Sequence, residues 1–117
     1  MINIDITNKD ISMIVDALTG SKLIYAPKTH VSTKTIQHNG ECDNTLPNKL
    51  RIFHVKIEYE VPNDASERTK LYNIIDDFKT RIELFARIFN IHHKVQSHIL
   101  EDDKKVYDYY FYKTNDE

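Results

Sequence analysis

One apolar stripe constrains the fold of this chain more than any other feature. Within residues 66–91, large apolar side chains recur at alternating steps of four and three residues: Leu71, Ile75, Phe78, Ile82, Phe85 and Phe89. This spacing places all of them on one face of an α-helix. Since the rest of the chain has the pattern of strands that need a core, we expect this helix to be the spine of a single α+β domain over residues 1–117.

The C-terminal half of this helix has a wider apolar face. Leu84, Ile88 and Ile91 form a second line beside Phe85 and Phe89. Either the C-terminal strands cover both lines or another chain does. We favour the first interpretation, because sheets commonly wrap such helices.

Helix termini are marked by capping patterns. Thr7 and Asp10 have the spacing of a capping box, and Gly20 stands where a glycine often follows the last turn, which predicts a short helix over residues 8–19. The apolar residues of this helix share one face: Ile11, Ile14, Val15 and Leu18. Asp64 and Glu67 form a second capping-box pattern at the start of the long helix.

Strands are predicted from period-two alternation and from β-branched residues. The clearest alternation covers residues 52–61, where one face is apolar: Phe53, Val55, Ile57, Tyr59 and Val61. Four further strand candidates complete the pattern, at residues 23–26, 31–38, 94–100 and 106–113. Asn39 and Gly40 predict a turn, and residues 41–49 predict a polar surface loop.

The element order α-β-β-β-α-β-β predicts the architecture. We expect a two-layer α+β sandwich, in which a mainly antiparallel sheet of about four or five strands packs on the long helix and the short N-terminal helix.

Composition indicates which partners and which cellular compartment to expect. Sixteen basic and 18 acidic residues leave a net charge of −2, so no global field attracts nucleic acid or an anionic membrane. The single cysteine, Cys42, cannot form an internal disulfide, and the first ten residues lack the pattern of a signal peptide. No apolar stretch approaches the roughly 20 residues that cross a bilayer. We therefore expect a cytoplasmic protein that does not bind membranes.

Motifs for catalysis or cofactor binding are not found in the sequence. It contains no G-x-S-x-G, P-loop or H-E-x-x-H pattern, and Cys42 lies between two acidic residues that disfavour a reactive thiolate. A straight strand cannot bring His92, His93 and His98 to one metal ion. We therefore expect no catalytic residue, no metal site and no cofactor. We also expect that the protein is not an enzyme. An enzyme with an unrecognised site, involving His54 or His93, is the least favoured alternative.

The segment VYDYYFYK near the C-terminus is unusually rich in aromatic residues. Its aromatic side chains would occupy both faces of a strand, and a two-layer fold does not bury both faces equally. Exposed tyrosines are favoured anchors in protein interfaces, although aromatic residues also simply suit strands. The predicted partner-binding residues are Tyr107, Tyr109, Tyr110 and Tyr112, with the outward strand face of His54, Lys56 and Glu58 as second choice.

The leading functional hypothesis is a small cytoplasmic protein-binding or inhibitory protein that occludes the surface of a protein partner. Phage host-takeover factors, anti-defence inhibitors and immunity proteins act in this way. A homodimer would account for the same aromatic surplus. The alternative is a small nucleic-acid-binding domain that contacts phosphates through a basic strip of four residues: Lys22, Lys28, His30 and Lys34.

Overall fold

The computed structural model describes residues 2–39, 46–101 and 103–115. The strands and α-helices in these residues are β1 (Ile2–Ile4), α1 (Asn8–Gly20), β2 (Thr29–Gln37), β3 (Arg51–Glu60), α2 (Ala65–Phe89), β4 (Ile91–Ile99) and β5 (Lys104–Asn115). A 3-10 helix, Leu23–Tyr25, lies between α1 and β2. The predicted α+β class is confirmed, since both α-helices pack on one face of an antiparallel sheet.

β5 is the central strand of the sheet although it comes last in the chain. Lys113 pairs with Ile4 of β1 and with Ile91 of β4, so β1 and β4 lie on opposite edges of β5. β3 pairs with the same edge as β1, and β2 pairs with β3. The order across the sheet is therefore β2-β3-β5-β4, with β1 continuing the line of β3. Because β3 and β4 both run antiparallel to β5, α2 connects two parallel strands.

The long helix begins and ends at residues suited to those positions. The Asp64 side chain accepts a hydrogen bond from the backbone N–H of Ser66 at 3.0 Å, which confirms the predicted N-cap. Glu67 does not complete a capping box, because its carboxylate bonds to Lys70 at 3.2 Å. Asn90 ends α2 with φ 57°, a left-handed conformation that asparagine tolerates, and the chain enters β4 directly.

The core lies between the helices and the odd-numbered residues of the strands. The predicted stripe of α2 packs here, and Phe78 meets Tyr109 edge-on at 5.6 Å between ring centroids. β3 contributes the apolar face that its alternation predicted, from Phe53 to Tyr59. This side of the sheet is called the helix face below.

One buried carboxylate ties α1 to the sheet. Asp10 accepts hydrogen bonds from the backbone N–H of Thr7 at 2.9 Å and from Nζ of Lys113 at 3.0 Å. Burial alone would raise the pKa of Asp10, but the Thr7 and Lys113 hydrogen bonds and the lysine charge outweigh it, so the pKa is lowered. The capping box predicted at Thr7 and Asp10 is confirmed.

The strand predicted over residues 23–26 is wrong. In a strand Leu23 and Tyr25 would share a face, but Leu23 is fully buried and Tyr25 is 71 % exposed. A 3-10 turn separates these two side chains, and the left-handed backbone of Lys22 sets its start. The short strand β1, which sequence patterns did not predict, supplies a further ladder beside β5.

The role predicted for Gly20 is also wrong. Gly20 is the last residue of α1 rather than a turn residue after it. A Cβ atom there would lie 2.8 Å from Nη1 of Arg81, so the flexible end of that side chain would have to shift.

Two expectations about surfaces are corrected. Leu46 and Leu50 are buried, so the end of the segment predicted as a surface loop packs on the sheet, while Gly40 and Cys42 lie outside the described residues. In the second apolar line of α2, Ile91 is buried, but Leu84 and Ile88 are 55 % and 59 % exposed. The C-terminal strands therefore leave part of that line uncovered.

Candidate functional site: the open face of the sheet

The face of the sheet opposite the helices carries the even-numbered residues of β2, β3, β4 and β5, and is called the open face. Strand register fixes this set, because residues directly opposite each other point to the same side. Its polar and aromatic members include His30, Lys34, His54, Lys56, Glu58, His92, Lys94, Gln96, His98, Asp108, Tyr110 and Tyr112. No helix in the described part of the chain covers these residues.

The centre of the open face is a hydrogen-bonded network across three strands. Nε2 of His54, on β3, donates to Oδ1 of Asp108, on β5, at 2.8 Å. Nε2 of His98, on β4, lies 3.4 Å from the second carboxylate oxygen. The His54 and Asp108 side chains are only 12 % and 14 % exposed, so this pair is held largely out of water.

Ring stacking fixes the same imidazole from a second direction. The ring of His54 stacks on Tyr110 with centroids 4.7 Å apart and planes 14° from parallel. His92 and Tyr112 form a second stack at 5.5 Å, and His92 also bonds to Thr114 at 2.8 Å. A ring held by both a hydrogen bond and a stack has little rotamer freedom left to lose on binding.

One end of the open face is roofed by residues 46–50. Leu46 and Leu50 pack on Ile52, with Tyr110 and Tyr112 beside them. Backbone bonds hold this segment to the end of β2, from His38 N to Leu50 O at 2.8 Å and from Lys49 N to His38 O at 2.7 Å. The two open-face tyrosines are therefore half-buried rather than fully exposed.

A recess of about 540 Å³ lies between this roof and the central network. Its described polar lining comprises Lys34, Gln37, His38, Asn39, His54, Gln96 and Tyr110, with no carboxylate among the described lining residues. His38 is 3 % exposed, and its Nδ1 lies 3.1 Å from the Pro47 carbonyl. Its Nε2 has no hydrogen-bond partner in the described part of the chain. Ammonium, imidazole, hydroxyl and amide groups line the recess, and this excess of donors suits a ligand that supplies hydrogen-bond acceptors.

The far end of the open face has mixed charge. A second recess of about 370 Å³ there is lined by Lys28, His30, Glu58, Tyr59, Glu60 and Lys104. Lys28 lies 4.0 Å from Glu60, an exposed pair of little energetic weight.

The structure separates the four predicted contact tyrosines. Tyr110 and Tyr112 lie on the open face, whereas Tyr107 and Tyr109 point to the helix face. Tyr109 is 3 % exposed, and burial together with the neighbouring Tyr107 raises its pKa to about 12. Tyr107 is half-buried, with Nζ of Lys79 5.8 Å from its ring centroid. In this fold Tyr109 is not accessible to a partner, which corrects its place among the predicted contacts.

The second-choice residues and the basic strip have different outcomes. His54, Lys56 and Glu58 share the open face, as their alternation predicted. The strip does not form one surface: His30 and Lys34 lie on the open face, whereas Lys22 caps the 3-10 helix that packs in the helix layer.

Three residues of the site were not predicted from the sequence: Asp108, His98 and His38. The sequence signal for Asp108 was a single carboxylate inside a run of aromatic residues. A carboxylate buried among aromatic residues needs a hydrogen-bonding or charged partner. The partner could not be named without the register of β3 and β4.

Comparison of the chain with protein-family models, with curated proteins and with solved structures finds no match. No function is therefore transferred from a relative. Neither helix described here is both long and apolar enough to cross a membrane. Within residues 2–39, 46–101 and 103–115, no three His, Asp or Glu side chains are arranged to hold a metal ion.

Proposed function

We propose that this chain is a small binding protein that occupies the surface of a protein partner through the open face of its sheet. One observation carries the proposal: the uncovered face has a rigid centre, in which Asp108 joins His54 to His98 and Tyr110 stacks on His54. Preformed contacts of this kind lower the entropic cost of association. Occupation alone would block the partner, so no reaction is needed.

The charge of the face indicates the chemistry of the partner. The recess beside the network contains Lys34 and two imidazoles but no described carboxylate, and Lys56 lies exposed next to it. Acidic or amide side chains of a partner fit this half of the face. The mixed charges at the far end favour a partner with both signs of charge there, which adds specificity more than affinity.

Catalysis is the weaker proposal for this site. A carboxylate that orients an imidazole resembles the base of a hydrolase, but the described lining of the recess contains no serine, threonine or cysteine that could act as a nucleophile. We therefore propose a binding role and not an enzymatic one.

Site-specific photocrosslinking tests the proposal. A photoreactive amino acid replaces Lys56 on the open face and, as the matched control, Asp76 on the exposed side of α2. In native extract treated with nuclease, we expect position 56 to capture one protein in stoichiometric amount and position 76 to capture none. His54→Ala should reduce capture from position 56. Equal capture from both positions, or capture unaffected by His54→Ala, would reject the open face as the binding surface.

A second candidate function is binding of single-stranded nucleic acid. It is favoured by two ring stacks on an uncovered sheet that also carries Lys34 and Lys56, since bases stack on such platforms. Anisotropy of a labelled oligonucleotide over a salt series separates the candidates, because each phosphate contact adds about 0.7 to the slope of log K against log salt for a single strand. A steep slope that Lys34→Gln flattens would favour this candidate.

A further inference from the structure

The backbone groups at the outer edge of β4 can be assigned from its ladder with β5. Thr114 N donates to Asn90 O at 3.1 Å, and Leu100 N donates to Lys104 O at 3.0 Å. Since bonding alternates along an antiparallel strand, the even-numbered residues of β4 bond to β5. The odd-numbered residues direct their N–H and C=O groups to the outer edge, where no described strand pairs with them.

This edge also exposes apolar side chains. Val95 and Ile99 are 44 % and 74 % exposed on the helix face. A groove of about 270 Å³ lies beside Val95, lined in part by Lys79, Ile82 and Glu83 of α2. α2 therefore leaves the helix-face side of β4 partly uncovered.

β4 lacks the usual protection of an edge strand. It is nine residues long, contains no proline or glycine, and keeps an unbroken register with β5. Its single lysine, Lys94, lies on the open face. Such an edge is a template for pairing with another strand.

We propose that a second copy of this chain pairs antiparallel with β4 and extends the sheet across a two-fold axis at Val95. The pairs formed on the helix face would be Val95 with Val95, His93 with Ser97, and Ile91 with Ile99. Every one joins odd-numbered residues, whose backbone groups face outward, so both ladders are satisfied at once.

Charge disfavours the register centred on Lys94, and strand length favours Val95 over Gln96 as the centre. Centring the axis on Lys94 would place two lysines directly opposite each other, which is destabilising. Centring it on Val95 pairs Lys94 with Gln96 of the second copy and uses the full length of the strand.

The facing helices are complementary in the same register. α2 runs antiparallel to β4, and at about 1.5 Å per helical residue the level of Val95 falls between Lys79 and Glu83. Both side chains line the groove beside Val95. A two-fold axis at Val95 therefore brings Lys79 of each copy to the level of Glu83 of the other, as an isologous interface requires.

Sedimentation equilibrium with matched proline variants tests the proposal. Ser97→Pro removes an outward N–H from β4 without removing a bond to β5, and Thr33→Pro does the same at the outer edge of β2. We expect a wild-type dimer whose dissociation constant rises at least about tenfold in Ser97→Pro and is unchanged in Thr33→Pro. Circular dichroism and thermal unfolding confirm that both variants are folded.

Disulfide trapping tests the register. In a Cys42→Ser background, Val95→Cys should form an intermolecular disulfide on oxidation, because the Cα atoms of such a bonded pair lie about 5.5 Å apart. Lys94→Cys should not. A wild-type monomer at high concentration, a dimer that Ser97→Pro leaves intact, or trapping through position 94 would each overturn the proposal.

Discussion

Each side of the sheet has one aspartate that links separate elements: Asp10 joins α1 to β5, and Asp108 joins β3 to β4. Asp10, on the helix side, is buried and lies 3.0 Å from Nζ of Lys113. Asp108, on the open face, is paired with imidazoles, which carry charge only when protonated. Asp10 therefore joins α1 to the sheet inside the core, whereas Asp108 joins three strands on the face that no described helix covers.

Among variants that compare the two faces, Phe111→Ala is expected to change the free energy of unfolding most. Phe111 is fully buried on the helix face, and its loss should lower the free energy of unfolding by about 3–5 kcal/mol. Tyr112→Ala, one residue away on the open face, is the matched control and should cost clearly less. Urea denaturation of both variants measures the difference, and equal losses would show that the roof of residues 46–50 is a second full core.

Asp10→Ala should come next, with a loss of about 3 kcal/mol, because Lys113 and the N-cap of α1 lose their shared partner. The lowered pKa of Asp10 makes its contribution present above the ordinary value of 3.8 and lost as pH falls through the folded-state pKa. Acid titration of stability should therefore be shallower in Asp10→Asn than in the wild type. An unchanged acid slope would contradict this assignment.

The bond between His54 and Asp108 should contribute less, about 1 kcal/mol, which is the usual net value of one hydrogen bond. A double-mutant cycle of His54→Phe and Asp108→Ala isolates it, because phenylalanine retains the stack on Tyr110 and alanine has no acceptor for the bond. We expect a coupling energy of that size from urea denaturation. Zero coupling would mean that stacking alone holds the ring.

Substitution of His93 should change stability least, and the change should be seen only in how stability depends on pH. Burial lowers its pKa, with nearby Glu83 opposing and His92 adding to the shift. The folded protein thus prefers the neutral imidazole, and stability should fall as pH drops below the ordinary value of 6.5. Comparison of the wild type with His93→Gln on both sides of that pH measures the slope of stability against pH, which should be smaller in the variant by the contribution of His93.

The sequence predicted those elements whose apolar residues recur at regular spacing along the chain. The stripe of α2 and the alternation of β3 each bury one face, so spacing alone identified them. Leu23 was misread because four apolar residues fit a strand or a turn equally well. β1 has only three residues, and its pairing with β5 depends on the distant end of the chain.

The site depended on information that the sequence does not carry. Tyr110 could be assigned to a face opposite Tyr109, but which face the helices cover follows from packing. The contact of Asp108 with His54 and His98 requires the register of three strands, two of which are separated by α2. Gly20 was misread for the same reason, since Arg81 approaches it only in the folded chain.

The central place of β5 has a consequence for synthesis of the protein. β3 and β4 share β5 as their partner, so a nascent chain that ends before β5 has two strands held apart with no ladder between them. β3 and β4 can join into one sheet only after β5 has left the ribosome. Until then β3 and β4 each lack the ladder that β5 supplies, and unpaired strand edges favour aggregation with other nascent chains.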